Sequence, residues 1–367
     1  MGTLVFYLLI MSATTALVSC YQSSLKAREL QNLFFRVISR LIVISPMVIL
    51  IGLRSLEVGF DTSHMSNLLF SGRYELNWLL ETQHDPLFIL FGWILVPITN
   101  GNMQIGLLIT SLLSFYFLIC AFEKWSDVIS MPFSMLAYCL YFSLIGMDQF
   151  KQMLAMSILL YGFSLYKEDS KLLSGAWILV AGLTHSTALI GLLIYAFNID
   201  INNHPIIYYC VPIVLILLTV ASEYLFQFLS YFFSDGNYDR YFTGEFYIRA
   251  QSGEGTTGLR FFLDVAPCLL PIVFIKYITP EYRRMFVILL FATMPLRMLG
   301  YQSAFLYRLY YGPAMALTLV YGNIWKNTNI QSGWIPRIIL FTTLIIYYFI
   351  AYSTSHGVIP YLTCFSG

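Results

Sequence analysis

Apolar stretches of bilayer-crossing length recur along almost the whole chain, and no other feature limits its fold so much. A transmembrane helix needs about 20 consecutive, mostly apolar residues. Candidate runs fall at 2–20, 34–53, 103–122, 131–147, 149–166, 172–184, 186–197, 205–220, 259–277, 285–299, 302–324 and 335–352, those on either side of His185 being two short stretches broken near Thr184–Ser186. Residues 86–99 form a further run of only about 14 residues, which suits a re-entrant or interfacial helix better than a crossing. Charged residues are 11% of the chain and hydrophobic ones 58%. That balance cannot clothe a water-soluble globule, so an all-α polytopic membrane protein is expected, one integral domain with about 12 spans. The near-neutral charge, 20 basic against 19 acidic residues, excludes a nucleic-acid binder, which needs a basic excess. The first run lacks a basic leader and reads as a first span rather than a signal peptide. Six scattered cysteines show neither metal-ligand nor redox spacing, so no metal site is expected.

Lysine and arginine in short loops set the orientation. Lys26, Arg28, Arg36 and Arg40 place the first loop in the cytoplasm. Alternation, with 86–99 not crossing, then puts Lys124, Lys167, Lys171, Lys276, Arg283, Arg284, Lys326 and Arg337 on the same side. Both termini fall outside. The outer face collects the polar segment 54–85, the Asp148–Lys151 turn, a break at His185, the long loop 234–258, and the region from Arg297 to Arg308. Basic residues there run against the positive-inside trend, and an anionic ligand would explain them.

Each constellation also has a plainer reading. Arg54 suits an interfacial anchor as well as a ligand for an anion, and Asp61 and His64, after Gly59, suit a solvated turn. Asp85 before Pro86 is a common helix start, and in a re-entrant helix the same acid faces a cavity. Asp148 and Lys151 have the spacing to pair on one helical face, or to line a wet path. His185, with Thr184 and Ser186, is either a hydrogen-bonded core residue or a titrating imidazole. The loop from Ser234 through Arg240, Glu245 and Arg249 is either simply solvated or a Tyr-rich lid over sugars. Arg308, inside an apolar run near Arg297, Tyr310 and Tyr311, needs a partner or an anionic substrate. No P-loop, HExxH, GxSxG or dinucleotide fingerprint is present.

In their order along the chain, these segments resemble the Wzy/EpsG family of O-antigen, capsular and exopolysaccharide polymerases. The resemblance lies in Arg54 through Val58-Gly59-Phe60-Asp61, then Asp85-Pro86, Lys151-Gln152 with Ala155, His185-Ser186, and Arg308 with Tyr310-Tyr311. Asp85 stands where the family usually has Glu, and Lys151 where it has Arg. The resemblance implies a GT-C-like bundle in the bacterial cytoplasmic membrane, its active site facing the periplasm or exterior. It implies a glycosyltransferase, independent of nucleotide and without cofactor, acting on oligosaccharide repeat units carried on undecaprenyl pyrophosphate. Candidate bases are then His185, Asp61 and Asp85. Arg54, Lys151, Arg297, Arg308 and, as a lid contact, Arg240 would hold the pyrophosphate, with Gln152, Ser186, Asp148, His64 and Tyr311 in support. A chain-length regulator and a flippase of the same pathway are the candidate partners. The main alternative is a lipid-linked oligosaccharide flippase or polysaccharide exporter, for which internal repeats would be the sign. An assembly subunit and a membrane acyltransferase are weaker alternatives.

Overall fold

A computed structural model describes residues 2–27, 32–82, 85–192, 205–233, 258–301, 304–328, 334–353 and 358–365. Every regular element among them is helical; Arg54 and Thr363 form an isolated antiparallel bridge. The chain divides into two compact units, Met1–Leu189 with Leu344–Gly367, and Ile190–Thr343.

The first unit holds α1 (Gly2–Lys26), α2 (Leu33–Gly52), α3 (Thr62–Phe70), α4 (Leu76–Thr82), α5 (Pro86–Thr99), α6 (Met103–Lys124), α7 (Met131–Asp148), α8 (Phe150–Lys167) and α9 (Lys171–Thr184). A 3-10 turn, Ser186–Leu192, follows. Local chemistry sets several boundaries. The Asn32 side chain accepts the Phe34 N–H at the start of α2, and Asn102 accepts those of Gln104 and Ile105 at the start of α6. Asn100 and Gly101 take left-handed backbone and turn the chain straight from α5 into α6. α7 is apolar all round and buried on nearly every side, from Phe133 through Met147, as befits a central helix. Helices α2 and α6 approach closely where Gly52 meets Leu108: an added Cβ would lie 2.8 Å from the Leu108 Cα.

Chain direction alternates through α1, α2, α6, α7, α8 and α9, which sorts the polar residues to two opposite ends. One end gathers Tyr21, Arg36, Arg40 and Glu123. Glu123 accepts from Tyr21 Oη, from Arg36 at 2.8 and 3.1 Å, and from Arg40 at 2.5 and 2.8 Å. Lys124 pairs with Glu168, and Lys167 with Asp127, at the same end. The opposite end gathers Arg54, Asp61, Asp85, Asp148, Lys151 and His185. The C-terminal segment closes onto that end: Tyr7 Oη donates to the Val358 carbonyl, and the Ser55 N–H to that of Leu362. Helix α5 also begins and ends there, with Asp85 beside Lys151, and Gln104, just past it, donating to the Gly52 and Arg54 carbonyls. This 14-residue helix therefore does not traverse the bundle.

Among the described residues, four helices are long and apolar enough to cross a membrane: α1, α2, α6 and α7. A fifth is gained if the segments Cys210–Val220 and Tyr224–Tyr231, which meet at 83°, form one broken span. The other expected crossings are shorter or more polar. α8 carries Lys151, Gln152 and Lys167, and α9 has 14 residues. The run 302–324 is interrupted rather than uniform. Within its described part, breaks at Tyr310 and Met315 divide it into pieces, the middle one containing Pro313, which removes a backbone donor.

In the second unit, α10 (Pro205–Val220), α11 (Ser222–Phe233), α12 (Gly258–Val273), α13 (Pro280–Gly300), α14 (Ala304–Leu309), α15 (Tyr311–Ala314), α16 (Ala316–Asn327) and α17 (Trp334–Ser353, shared with the first unit) follow in order. α13 carries Glu281, Arg283, Arg284 and Arg297, and packs against α10, α12 and α14. Helix α11 buries Phe226 against Leu299 and Leu306.

Candidate functional site

The polar end of the first unit is built around the connection after α2. Arg54 is fully buried. Its Nε donates to the Val58 carbonyl at 3.4 Å, Nη1 to that of Ile51, and Nη2 to that of Met147 and to Thr62 Oγ1. Burial lowers its pKa to about 10, against the pull of Asp148, so it stays charged at neutral pH. Arg54 thus lies inside the wall, its donors turned to main-chain carbonyls. Gly59 makes the fit possible. Its φ of 95° is left-handed, and a Cβ there would lie 2.6 Å from Thr62 Oγ1 and 2.9 Å from the Met147 carbonyl oxygen. This turn delivers the Asp61 N–H to Asp148 Oδ1 at 2.8 Å. His64 stands exposed on α3.

Gln149 breaks the chain between α7 and α8. Asp148 and Lys151 consequently sit on different helices, so of the two readings the pairing on one helical face does not hold. Lys151 Nζ instead meets Asp85 Oδ2 at 2.5 Å, across to the start of α5. Asp85 Oδ1 accepts the Ser186 N–H at 3.0 Å. Burial works against the charge on Asp85, but Lys151, His185 and the Ser186 N–H outweigh it and hold the carboxyl below its ordinary range. His185 ends α9, is buried, and holds Thr187 Oγ1 at 2.9 Å from its Nδ1. Gln152 Nε2 reaches the same hydroxyl at 3.4 Å. Thr187 was not among the sequence candidates, although a hydroxyl two residues from a break at histidine is a usual side-chain partner.

This end can do two things chemically. It offers carboxylates and an imidazole that can take a proton, and an ammonium with a backbone N–H that can receive an anion.

In the second unit, Arg297 is buried on α13 with Asp264 of α12. Its Nε donates to Asp264 Oδ2 at 3.2 Å and its Nη2 to the same oxygen, which also accepts Tyr301 Oη at 2.7 Å. The guanidinium carbon lies 5.0, 4.5 and 5.6 Å from the ring centroids of Tyr301, Tyr307 and Tyr310, within cation–π range. Tyr311 is buried and meets Tyr307 edge-on. Arg308 is half-buried near the end of α14. Asp264 escaped the sequence reading, though a carboxylate inside the apolar run 259–277 carries the same signal that singled out Arg308. Arg240 and the rest of the loop 234–257 lie outside the described residues, as do Gln83 and His84.

A model of the EpsG family matches residues 37–363, a stretch that contains every candidate residue from Arg54 to Tyr311. No curated protein and no solved structure matches the chain. The family match runs through both units and nearly the whole length: the chain belongs to the EpsG family, which comprises Wzy-like polymerases.

Proposed function

We propose that the protein is a polysaccharide polymerase that joins oligosaccharide repeat units carried on undecaprenyl pyrophosphate, at the outer face of a bacterial cytoplasmic membrane. One observation carries the reading. Asp61, Asp85, Asp148, Lys151, Gln152, His185 and Ser186 gather at one end of the first unit, opposite the arginine-rich end at Glu123. Positive-inside logic assigns the arginine-rich end to the cytoplasm and the candidate site to the exterior. The fuller architecture in this reading is a single membrane domain of about 12 spans, GT-C-like, with α5 re-entrant or interfacial.

In the reaction, a hydroxyl oxygen of the incoming unit attacks the anomeric carbon of the growing chain's reducing-end sugar. The bond from that carbon to pyrophosphate breaks, and the electron pair leaves on undecaprenyl pyrophosphate. The hydroxyl proton passes to a base, with His185, Asp61 and Asp85 as candidates. Lys151 receives the departing negative charge. Arg54 acts indirectly, by clamping the turn that carries Asp61. Arg297, Arg308 and Arg240 are further candidate cations, and His64 and Tyr311 candidate supports. No nucleotide or metal enters this scheme. A chain-length regulator and a flippase are the expected partners.

The test is incubation of the purified protein with its lipid-linked repeat unit alone, followed by electrophoresis. A ladder of longer lipid-linked chains is expected. Folded protein that binds the lipid but leaves it unextended would favour a flippase or exporter instead. Against that alternative stands the polar cluster itself, which sits at one end of the helices rather than at mid-depth.

A further inference from the structure

The acid at the start of α5 does not do the local work that its position invites. Asp85 occupies the N-cap of that helix, yet its side chain makes no bond to the helix's own N–H groups. Both oxygens are used across the bundle, Oδ2 by Lys151 Nζ at 2.5 Å and Oδ1 by the Ser186 N–H at 3.0 Å. The residue is 6% exposed. An ammonium and a backbone N–H converging on two oxygens of one anion form a donor set that phosphoryl groups also accept.

We infer that Asp85 is the resident occupant of an anion seat made by Lys151 Nζ and the Ser186 N–H, and that a phosphoryl oxygen of the lipid pyrophosphate displaces it. The seat rests on the geometry alone; the name of its ligand rests on the polymerase reading. Three features fit an exchange of anions. A single ammonium does not neutralise a carboxylate and a pyrophosphate together, so the two compete. Lysine is a point charge on a flexible stem and can change partners, where the fixed fork of an arginine would favour one. Because Asp85 makes no cap bond, its departure removes no hydrogen bond from the start of α5. The occupied seat also lowers the apparent affinity for phosphoryl groups, in proportion to the time that Asp85 holds it.

The experiment uses the purified full chain and Asp85→Asn, Asp85→Ser and Lys151→Met. Inorganic pyrophosphate is the probe, read by calorimetry and by the shift in melting temperature that it causes. Both Asp85 variants should bind pyrophosphate about tenfold more tightly than the parent, a gain of about 1.4 kcal/mol, and should be stabilised more by it. Lys151→Met should lose the response. Equal or weaker binding in both Asp85 variants overturns the displacement. The melting shift remains readable if either variant is destabilised, since each is compared with itself without ligand. A bilayer phospholipid offers the same phosphoryl chemistry, so competitors separate the sources. Undecaprenyl pyrophosphate should compete with the probe and phosphatidylglycerol should not; the reverse overturns the choice of ligand. The gain in a protein that makes no polymer would leave the seat standing and sink the polymerase reading. Polymer made without the gain would sink the displacement alone.

Discussion

Lysine in place of Arg54 separates a wall-building role from a ligand-binding one. The guanidinium is fully buried and donates to the carbonyls of Ile51, Val58 and Met147 and to Thr62 Oγ1. These acceptors come from the end of α2, the following turn, α3 and the end of α7. A planar fork spans them; one ammonium nitrogen on a stem does not. Two carbonyls losing a charged donor in a buried setting cost about 1–3 kcal/mol each, so Arg54→Lys should cost roughly 2–6 kcal/mol. At about 2 °C per kcal/mol, the low end for large domains, the melting temperature should fall roughly 4–12 °C. The assay is thermal unfolding in detergent followed by tryptophan fluorescence, with a parallel pyrophosphate titration at a temperature where both proteins are folded. Pyrophosphate binding should change little. A variant that melts within about 1 °C of the parent but binds pyrophosphate tenfold more weakly would refute the clamp and return Arg54 to the ligand-binding set.

Gly59→Ala should destabilise the protein by about 1–3 kcal/mol, because its left-handed φ and the 2.6 Å approach to Thr62 Oγ1 leave no room for a methyl group; thermal melting checks it. Asp264→Ala and Arg297→Met should each cost about 3–5 kcal/mol by stranding a buried charge, and the double replacement less than their sum. A double-mutant cycle reads that coupling, and strict additivity would contradict it. The carboxyl of Asp85 is held below its ordinary value. Its contribution to stability is therefore complete above the unfolded pKa, about 3.9, and is lost as the pH falls through the lower folded value. Asp85→Asn should flatten that acid limb of a stability–pH curve, and an unchanged limb would contradict the pairing.

Local chemistry was readable where one segment carried all of it. Asp85-Pro86 at one end and Asn100-Gly101 at the other bound α5 as residues 86–99, the stretch marked out by its apolar run. The alternation of basic loops placed Arg36, Arg40, Lys124 and Lys167 together, and the structure gathers them at one end. Pairings between distant segments were not readable. Lys151 was offered Asp148, three positions away, because spacing is all that a sequence shows; the break at Gln149 and the return of α5 give it Asp85 instead. Asp264 and Arg297 likewise meet only through the packing of α12 on α13. The polar segment 54–85 concealed α3 and α4, since helices of nine and seven residues are too short to show a clear period. In the run 302–324 uniform hydropathy gave no sign of the interruptions at Tyr310 and Met315, where single residues with right-handed backbone divide the helix.

The clasp around Glu123 also has a timetable. Arg36 and Arg40 precede their carboxylate by 87 and 83 residues. At about 5–20 residues per second, the ribosome makes Glu123 roughly 4–17 s after the two arginines. During that interval the arginines lack their carboxylate, and under the proposed orientation their charge opposes translocation of the loop between α1 and α2. Once Glu123 emerges at the end of α6, the same arginines become the fastening between α1, α2 and α6. Under that orientation one pair of side chains serves first as an address label and then as a latch, and the order of synthesis keeps the two uses apart.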